Sequence, residues 1–160
     1  MSLDILTPRG QQTLVDEMRA AAIFEMSTGL AYHRTPDSLP AKVDAVITKQ
    51  GRIAGVVETK CRYCLTRARL RDEWKDEWLV TMEKIEQAKA AAAALCVPLY
   101  GFLFLADEGV LLTQKITDEA GQYEVKFRCE KTQTQKTVNG GSVVRCNAYI
   151  DMSNAKEWRD

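Results

Sequence analysis

The residues of this chain whose types and spacing suit chemistry are Asp44, Glu58 and Lys60. Two carboxylates that face each other can share a Mg²⁺ ion, which typically takes one or two carboxylates and keeps several waters. A neighbouring ammonium can orient or deprotonate a water and offset negative charge that develops on a phosphate. The three side chains therefore indicate metal-assisted chemistry at a phosphate, provided that the fold brings them together.

The element that must bring them together is a β-hairpin predicted within residues 41–62. Apolar and polar residues alternate along both arms, with the period of two that is typical of strands. The connection Lys49-Gln50-Gly51 predicts a three-residue loop, because glycine enters the left-handed conformation without steric cost.

The length of this loop decides whether a site forms. A three-residue loop places Asp44 opposite Val56 and turns its side chain to the same face as Glu58 and Lys60. A two-residue Gln50-Gly51 loop shifts the pairing by one residue and turns Asp44 to the other face. We therefore expect the three-residue loop. An ordinary solvated strand would also explain the charges, but the apolar run of GVVETK leads directly into them.

Asp44, followed after a short hairpin by Glu58-Thr59-Lys60, resembles the PD-(D/E)XK nuclease superfamily. A helix precedes this pattern, and an alanine-rich helix and a hydrophobic strand follow it. The resemblance covers about residues 8–105. It implies an α/β fold with a restriction-endonuclease-like αβββαβ core and a mixed sheet. It also implies Mg²⁺-dependent hydrolysis of DNA, with Mn²⁺ as a substitute.

The resemblance also assigns roles. Asp44 and Glu58 would be catalytic metal ligands, the Thr59 carbonyl a further ligand, and Lys60 the catalytic lysine. Lys42-Val43, rather than proline, precedes the aspartate. A literal Pro36-Asp37 occurs earlier, in the turn-like stretch TPDSLP, so Asp37 is the alternative ligand.

A first helix is predicted from Thr7-Pro8 to about Ser27, with Thr28-Gly29 ending it. Its expected apolar stripe consists of Leu14, Met18 and Ala21 or Ala22, and ends at Glu25. The resembled family often contributes an acid from this helix, which makes Glu25 a candidate metal ligand. Glu17 is the weaker match, because it lies farther round the helix from the stripe. A solvated glutamate at a helix end is the competing interpretation. His33 is either a neighbour of the same metal or a hydrogen-bonded structural residue.

A basic segment after Lys60 carries arginines and aromatic residues that could contact phosphates and unpaired bases. The competing interpretation is an exposed helix whose arginines pair with neighbouring acids. From the next helix, the resembled family frequently places a lysine or glutamine at the scissile phosphate. The candidate DNA-binding residues are Arg62, Arg67, Arg69, Lys84 and Gln87.

The rest of the chain predicts one long helix and several strands. The helix spans Glu73 to Leu95, and Leu99 to Leu105 form a buried strand parallel to a hairpin strand. Further strands are expected at Val110–Ile116, Tyr123–Lys131 and Val143–Ile150, joined through TDEAGQ and QKTVNGG. These strands extend the sheet or fold over it as a small antiparallel layer.

Composition predicts one domain over residues 1–160, with the nuclease-like core at about 8–105 and a β extension at about 106–160. Lys plus Arg equal Asp plus Glu at 22 each, so no overall positive charge indicates a nucleic-acid partner. No apolar run suits a membrane span or secretory signal, so a cytoplasmic protein is expected. The five cysteines fit free thiols rather than a disulfide framework, a zinc site or an iron–sulfur cluster.

These features predict a Mg²⁺-dependent deoxyribonuclease, with exonuclease or endonuclease action left open. The alternatives are a catalytically inactive nuclease-like domain that binds nucleic acid or protein, and a small interaction protein without a nucleic-acid role. Since phosphate-binding and dinucleotide motifs are lacking, no nucleotide cofactor is expected. By analogy, the small size suits an accessory nuclease of a phage or mobile element, acting in the host cytoplasm. Enzymes of the resembled type that cut both strands often form homodimers.

Overall fold

The computed structural model describes residues 7–36, 42–133, 141 and 144–160. Asp37 and residues 135–140 of the QKTVNGG connection lie outside the described residues. In chain order the elements are α1 (Pro8–Thr28), β1 (Ala31–Arg34), β2 (Ala45–Lys49), β3 (Arg52–Arg62), α2 (Arg67–Asp72), β4 (Glu77–Thr81), α3 (Met82–Ala94), β5 (Leu99–Leu105), β6 (Val110–Thr117), β7 (Phe127–Gln133), β8 (Val144–Asp151) and β9 (Lys156–Arg159).

Helix α1 begins and ends where the sequence predicts. The Thr7 hydroxyl accepts a hydrogen bond from the Gly10 N–H at 3.0 Å, and Pro8 occupies the first helical position. Gly29 ends the helix in the left-handed conformation, with φ 72°, and donates its N–H to the Glu25 carbonyl. The side-chain cap and the glycine thus fix both ends.

The buried face of α1 differs from the predicted stripe. Asp16, Ala20, Ile23 and Phe24 are buried, whereas Met18 is 68% exposed. The stripe through Leu14, Met18 and Glu25 was therefore wrong. Apolar spacing does not identify a face that contains an aspartate. The Asp16 carboxylate is satisfied there, since it accepts hydrogen bonds from the Tyr63 hydroxyl at 2.6 Å and from Arg19 at 2.9 Å.

The β2–β3 hairpin has a two-residue loop, so the three-residue prediction was wrong. Lys49 pairs with Arg52, and Gln50 and Gly51 between them have φ 51° and 76°, as in a type I′ turn. The pairing then shifts once: Ile47 lies opposite Gly55 and Thr48 opposite Ile53, which leaves Ala54 as an extra, bulged residue.

This bulge turns the Asp44 side chain back to the face of the sheet that carries Glu58. The two-residue loop alone would have turned Asp44 to the other face. Beyond it, Ala45 lies opposite Val57, which sets Asp44 beside Glu58 rather than beside Val56. Residues that face each other across an antiparallel pair point to the same side of the sheet. The expected shared face therefore forms, through a different register.

The main sheet has six strands within the described residues, in the order β1-β2-β3-β5-β6-β9. Its neighbours are antiparallel except for β3 and β5, which run parallel. A parallel pair needs a crossover connection, and α3 lies in the one between β3 and β5. The fold is thus α/β with a mixed, mostly antiparallel sheet and few helices.

The single helix predicted from Glu73 to Leu95 was wrong. Lys75 and Asp76 have positive φ values of 53° and 59°, which no α-helix accommodates. The next residues form β4, in which Trp78 and Val80 are buried and alternate with less buried neighbours. Pairing with β8 thus outweighs the helical spacing of the apolar residues, and α3 starts at Met82.

The C-terminal strands have both of the expected placements. Strands β6 and β9 extend the main sheet, while β7 and β8 join β4 in a three-stranded antiparallel sheet of order β4-β8-β7. The predicted strand at Tyr123–Lys131 begins later, at Phe127. Strands β1 and β9 were not predicted, since each has only four residues.

The main sheet separates two apolar clusters. On one face, Val56 and Leu103 pack with Ile85 of α3 and Trp78 of the small sheet. On the other face, the alternate residues of β3 and β5 pack against α1. Because side chains alternate along β3, Glu58 and Lys60 share the α3 side with Val56. Within the described residues, no helix is long and apolar enough to cross a membrane.

Close contact between the two sheets yields a stability prediction. A Cβ atom at Gly101 would collide with the Trp78 ring and lie 2.9 Å from Ile116 Cδ1. Gly101→Ala should therefore lower the free energy of unfolding by about 1–3 kcal/mol, the usual cost of overpacking. Denaturant unfolding of the single and double variants measures this cost. In a Trp78→Phe background the substitution should cost less, and equal costs in both backgrounds would contradict the contact.

Candidate functional site

The centre of the site is the pair of carboxylates at the open end of the hairpin. Asp44 directly precedes β2 and lies beside Glu58 of β3. Its Oδ2 accepts a hydrogen bond from the Thr59 backbone N–H at 2.8 Å, which fixes the aspartate against the neighbouring strand. The sequence-predicted pair is thus brought together on one face of the sheet.

Glu58 is a buried acid whose charge is poorly compensated. Its side chain is only 2% exposed, and its Oε1 has no hydrogen-bond partner within the described part of the chain. Burial, and then the charge of Asp44, raises the pKa of Glu58 from 4.5 to about 7. A buried carboxylate oxygen without a hydrogen bond is costly even in an ion pair, so this position favours either a proton or a bound cation.

Two lysines lie next to the carboxylates. Lys84 of α3 places its Nζ 3.6 Å from Glu58 Oε1, beyond hydrogen-bond distance. Burial alone would lower the pKa of Lys84, but Glu58 and Asp44 outweigh it and leave the pKa raised. Burial and the charge of Lys84 lower the pKa of Lys60. The site therefore has one firmly protonated lysine and one that releases its proton more easily.

The acid that α1 contributes is Glu17 rather than Glu25. Burial and the charge of Asp44 raise the pKa of Glu17, and Lys60 partly opposes this. Arg34 of β1 donates to Glu17 Oε2 at 3.0 Å. Glu25 is exposed and lies eight residues further along α1, about 12 Å at the rise of an α-helix. The structure does not bring it to the carboxylate pair.

Correct identification of the buried face of α1 would have favoured Glu17 over Glu25. The buried face contains Asp16 and Ala20, and Glu17 borders it on the side toward β1. The predicted stripe instead turned Glu25 inward. The correct buried face can be identified from Ala20, Ile23 and Phe24, provided that a polar residue is also allowed on that face.

Thr59 is held by both its backbone and its side chain. Its hydroxyl lies 2.9 Å from the Tyr32 hydroxyl, on the α1 side of the sheet. Its N–H points to the edge of β3 that Asp44 occupies, and the carbonyl of a strand residue points to the same edge as its N–H. Because β2 begins only at Ala45, this carbonyl is available to complete a ligand set.

These residues fit a divalent cation that prefers oxygen ligands. The unpartnered Glu58 Oε1, the second oxygen of Asp44 and the Thr59 carbonyl are hard donors of the kind that Mg²⁺ binds. No group of three or more histidine, cysteine, aspartate and glutamate side chains suited to a metal occurs among the described residues. Waters or a substrate phosphate would therefore supply the remaining ligands, as is common for Mg²⁺.

The predicted DNA-binding arginines differ in their surroundings. Arg62 is half-buried and donates to the Leu79 carbonyl at 3.4 Å. Arg67 pairs with Asp76 and, at 3.6 Å, with Glu157. Arg69 pairs with Glu73 at 2.9 Å. The ion-pair interpretation therefore describes Arg67 and Arg69, and Arg62 is the member of the set that lies beside Lys60.

The other sequence candidates lie away from the pair. Gln87 donates to Glu83 at 3.3 Å, one turn beyond Lys84 on α3. His33 is hydrogen-bonded to the Thr48 hydroxyl at 2.8 Å on the exposed surface. All five cysteines are free thiols. The structure thus joins Asp44, Glu58, Lys60 and Lys84, and leaves His33 and the cysteines outside.

The chain matches no protein-family model, and comparison with curated proteins finds no match. The interpretation of the site therefore depends on its own geometry.

The buried acid predicts an unusual dependence of stability on pH. The folded protein retains the Glu58 proton up to about pH 7, whereas the unfolded chain releases it near pH 4.5. Folded-state stability therefore falls as pH rises through this window, and Glu58→Gln removes the effect. The stability gain of Glu58→Gln over wild type should grow by about 3 kcal/mol across the window.

Urea unfolding at several pH values measures this difference. Glu25→Gln is the matched control, because that acid is exposed and its replacement should leave the pH profile unchanged. A gain for Glu58→Gln that is the same at pH 4.5 and pH 7 would show that Glu58 is an ordinary, solvated acid.

Proposed function

We propose that this protein is a Mg²⁺-dependent deoxyribonuclease of the PD-(D/E)XK type. The observation that carries the proposal is the opposed pair of half-buried Asp44 and buried Glu58. Glu58 Oε1 has no hydrogen bond there and lies 3.6 Å from the Lys84 ammonium. Buried like charges are costly unless a proton or cation joins them. A site of this composition suits binding a cation and a phosphate together.

The order of the elements supports the same proposal. Helix α1 is followed by the antiparallel strands β1, β2 and β3, and α3 then leads to β5, which is parallel to β3. This order agrees with an αβββαβ core of restriction-endonuclease type into which α2 and β4 are inserted. We therefore propose that core for the main sheet.

The cation would be held by Asp44, Glu58 and the Thr59 carbonyl. Glu17 lies near enough for its negative charge to act on Asp44. When bound, Mg²⁺ supplies Lewis-acid stabilisation of the negative charge on the phosphate. Mn²⁺ has the same preference for oxygen ligands and should substitute.

The two lysines would have different roles in the reaction. Lys60, with its lowered pKa, can accept a proton at Nζ from the attacking water and hold that water near the phosphate. Lys84 stays protonated beside Glu58 and can donate to a phosphate oxygen. As the water oxygen bonds to phosphorus, the bond from phosphorus to the 3′-oxygen would break, and a solvent water would protonate the departing 3′-oxygen.

DNA as substrate, a cytoplasmic location and a homodimer form for cutting both strands belong to the same proposal. The free state of all five cysteines supports a reducing compartment. Arg62 and the lysines would supply local positive charge that the balanced net charge of the chain does not.

Digestion of plasmid and linear DNA with Mg²⁺ or Mn²⁺ tests the proposal. Lys60→Ala and Asp44→Asn should each lower the cleavage rate by about 10²- to 10⁴-fold, the range of general acid–base and electrostatic contributions. Lys49→Ala is the matched control, because Lys49 is exposed at the far end of the hairpin. This variant should retain full activity. Chelation of the metal should abolish cleavage by the wild type.

Full activity in both site variants, in preparations free of other nucleases, would reject the assignment. Salt-dependent DNA binding that a chelator does not affect, without cleavage under any metal, would favour the inactive nucleic-acid-binding alternative.

A further inference from the structure

Two cavities meet at the end of β3 that carries Lys60. A cleft of about 260 Å³ lies between α1 and β3, lined by Arg9, Glu17 and Lys60 among others. A second cavity of about 310 Å³ lies between β3, α2 and β4. Arg62 and Tyr63 line both, so the two cavities are neighbours at this end of β3.

Three basic side chains, Arg9, Lys60 and Arg62, line the cleft between α1 and β3. Burial lowers the pKa of Arg62, and the neighbouring charge of Arg9 acts in the same direction. Among the ion pairs of the described residues, none includes Arg9, Lys60 or Arg62. Glu17, the acid in this cleft, is paired with Arg34. Two guanidinium groups that line one cleft and form no ion pair suit a phosphate.

The second cavity is mainly apolar and aromatic. Four leucines line it together with Trp74 and Trp78, and the charged side chains at its lining are Arg62, Arg69 and Glu77. Trp74 is 47% exposed, which is unusual for a tryptophan without a partner surface. Trp78 is 2% exposed, and its indole N–H has no acceptor among the described residues. A flat, apolar group suits the exposed ring of Trp74 and the apolar lining beside it.

The spacing of the charges links the two cavities to the site. Arg62 lies two residues beyond Lys60 on β3, about 7 Å along the strand. Neighbouring phosphates of an extended nucleic-acid strand have a comparable separation. One phosphate at Lys60 therefore places the next within reach of Arg62 and Arg9, and its base next to Trp74.

We propose that this surface binds an unpaired nucleotide next to the scissile phosphate, with its phosphate between Arg9 and Arg62 and its base in the Trp74–Trp78 cavity. The inference rests on the proposed function and narrows its substrate. A base inside a duplex is stacked and paired, so it cannot enter a protein cavity without leaving the helix. The substrate class is therefore single-stranded DNA, or a frayed end or flap, rather than continuous duplex.

Fluorescence anisotropy tests this inference without cleavage. The probes are a labelled oligothymidine of about 12 nucleotides and a blunt duplex of equal length, in EDTA. The full chain should bind the single strand more tightly than the duplex. Trp74→Ala should weaken single-strand binding about 5- to 100-fold, the range that base–aromatic stacking supplies, and should change duplex binding little.

Two matched controls separate the surface from general effects. Leu95→Ala removes an apolar side chain of almost equal exposure, 48%, from the end of α3 and should leave binding unchanged. Arg9→Ala should reduce the slope of log affinity against log salt by about 0.7, the value for one phosphate contact on a single strand. Arg52→Ala, at the opposite end of β3, should not change that slope.

Equal affinity for both probes, binding of neither, or full single-strand binding by Trp74→Ala would overturn the inference. These outcomes are independent of DNA cleavage, which tests the proposed function separately. Cleavage with no Trp74 effect rejects only the nucleotide surface. A Trp74-dependent preference for single strands without cleavage under any metal rejects only the nuclease and leaves the binding surface.

Discussion

The interaction on which the rest of this structure depends is the contact between two carboxylates, Asp44 and Glu58, held opposite each other at the mouth of a hairpin. The two like charges repel, and burial removes the solvation of Glu58, so the fold must stabilise the pair from outside. The Thr59 N–H and Lys84 do so in part. The raised pKa of Glu58 and its unpartnered oxygen reflect what is left uncompensated. A proton or a divalent cation bound to the pair can compensate this negative charge.

The surrounding elements are arranged to maintain this pair. Parallel pairing of β3 with β5 requires the crossover that carries α3, and α3 brings Lys84 to the same face as Glu58. Helix α1 covers the opposite face and brings Glu17 to the edge where β2 begins. The small sheet packs Trp78 against the main sheet and encloses the cavity beside Arg62. The two helices and the small sheet thus position the charged cluster and shield it from solvent.

The sequence predicted which charged residues lie together better than it predicted the elements that position them. Residue types in GVVETK and the acid of AKVDAV were sufficient to select Asp44, Glu58 and Lys60, because charges that follow an apolar strand are informative. The hairpin register was not predictable, since the Ala54 bulge offsets the shorter loop and has no distinct local signal. Strand β4 was missed because its apolar residues also fit helical spacing, and only pairing with β8 decides between the two. Glu17 was ranked below Glu25 because the buried face of α1 contains Asp16, and an apolar stripe does not identify such a face.

The central claim is that Asp44 and Glu58 share one divalent cation. The most direct measurement is an anomalous difference map from crystals of the protein soaked in Mn²⁺. The account predicts a single strong peak within ~2.3 Å of a carboxylate oxygen of both residues. A map with no peak between them, although Mn²⁺ occupies other acidic surface positions of the same crystal, would contradict it.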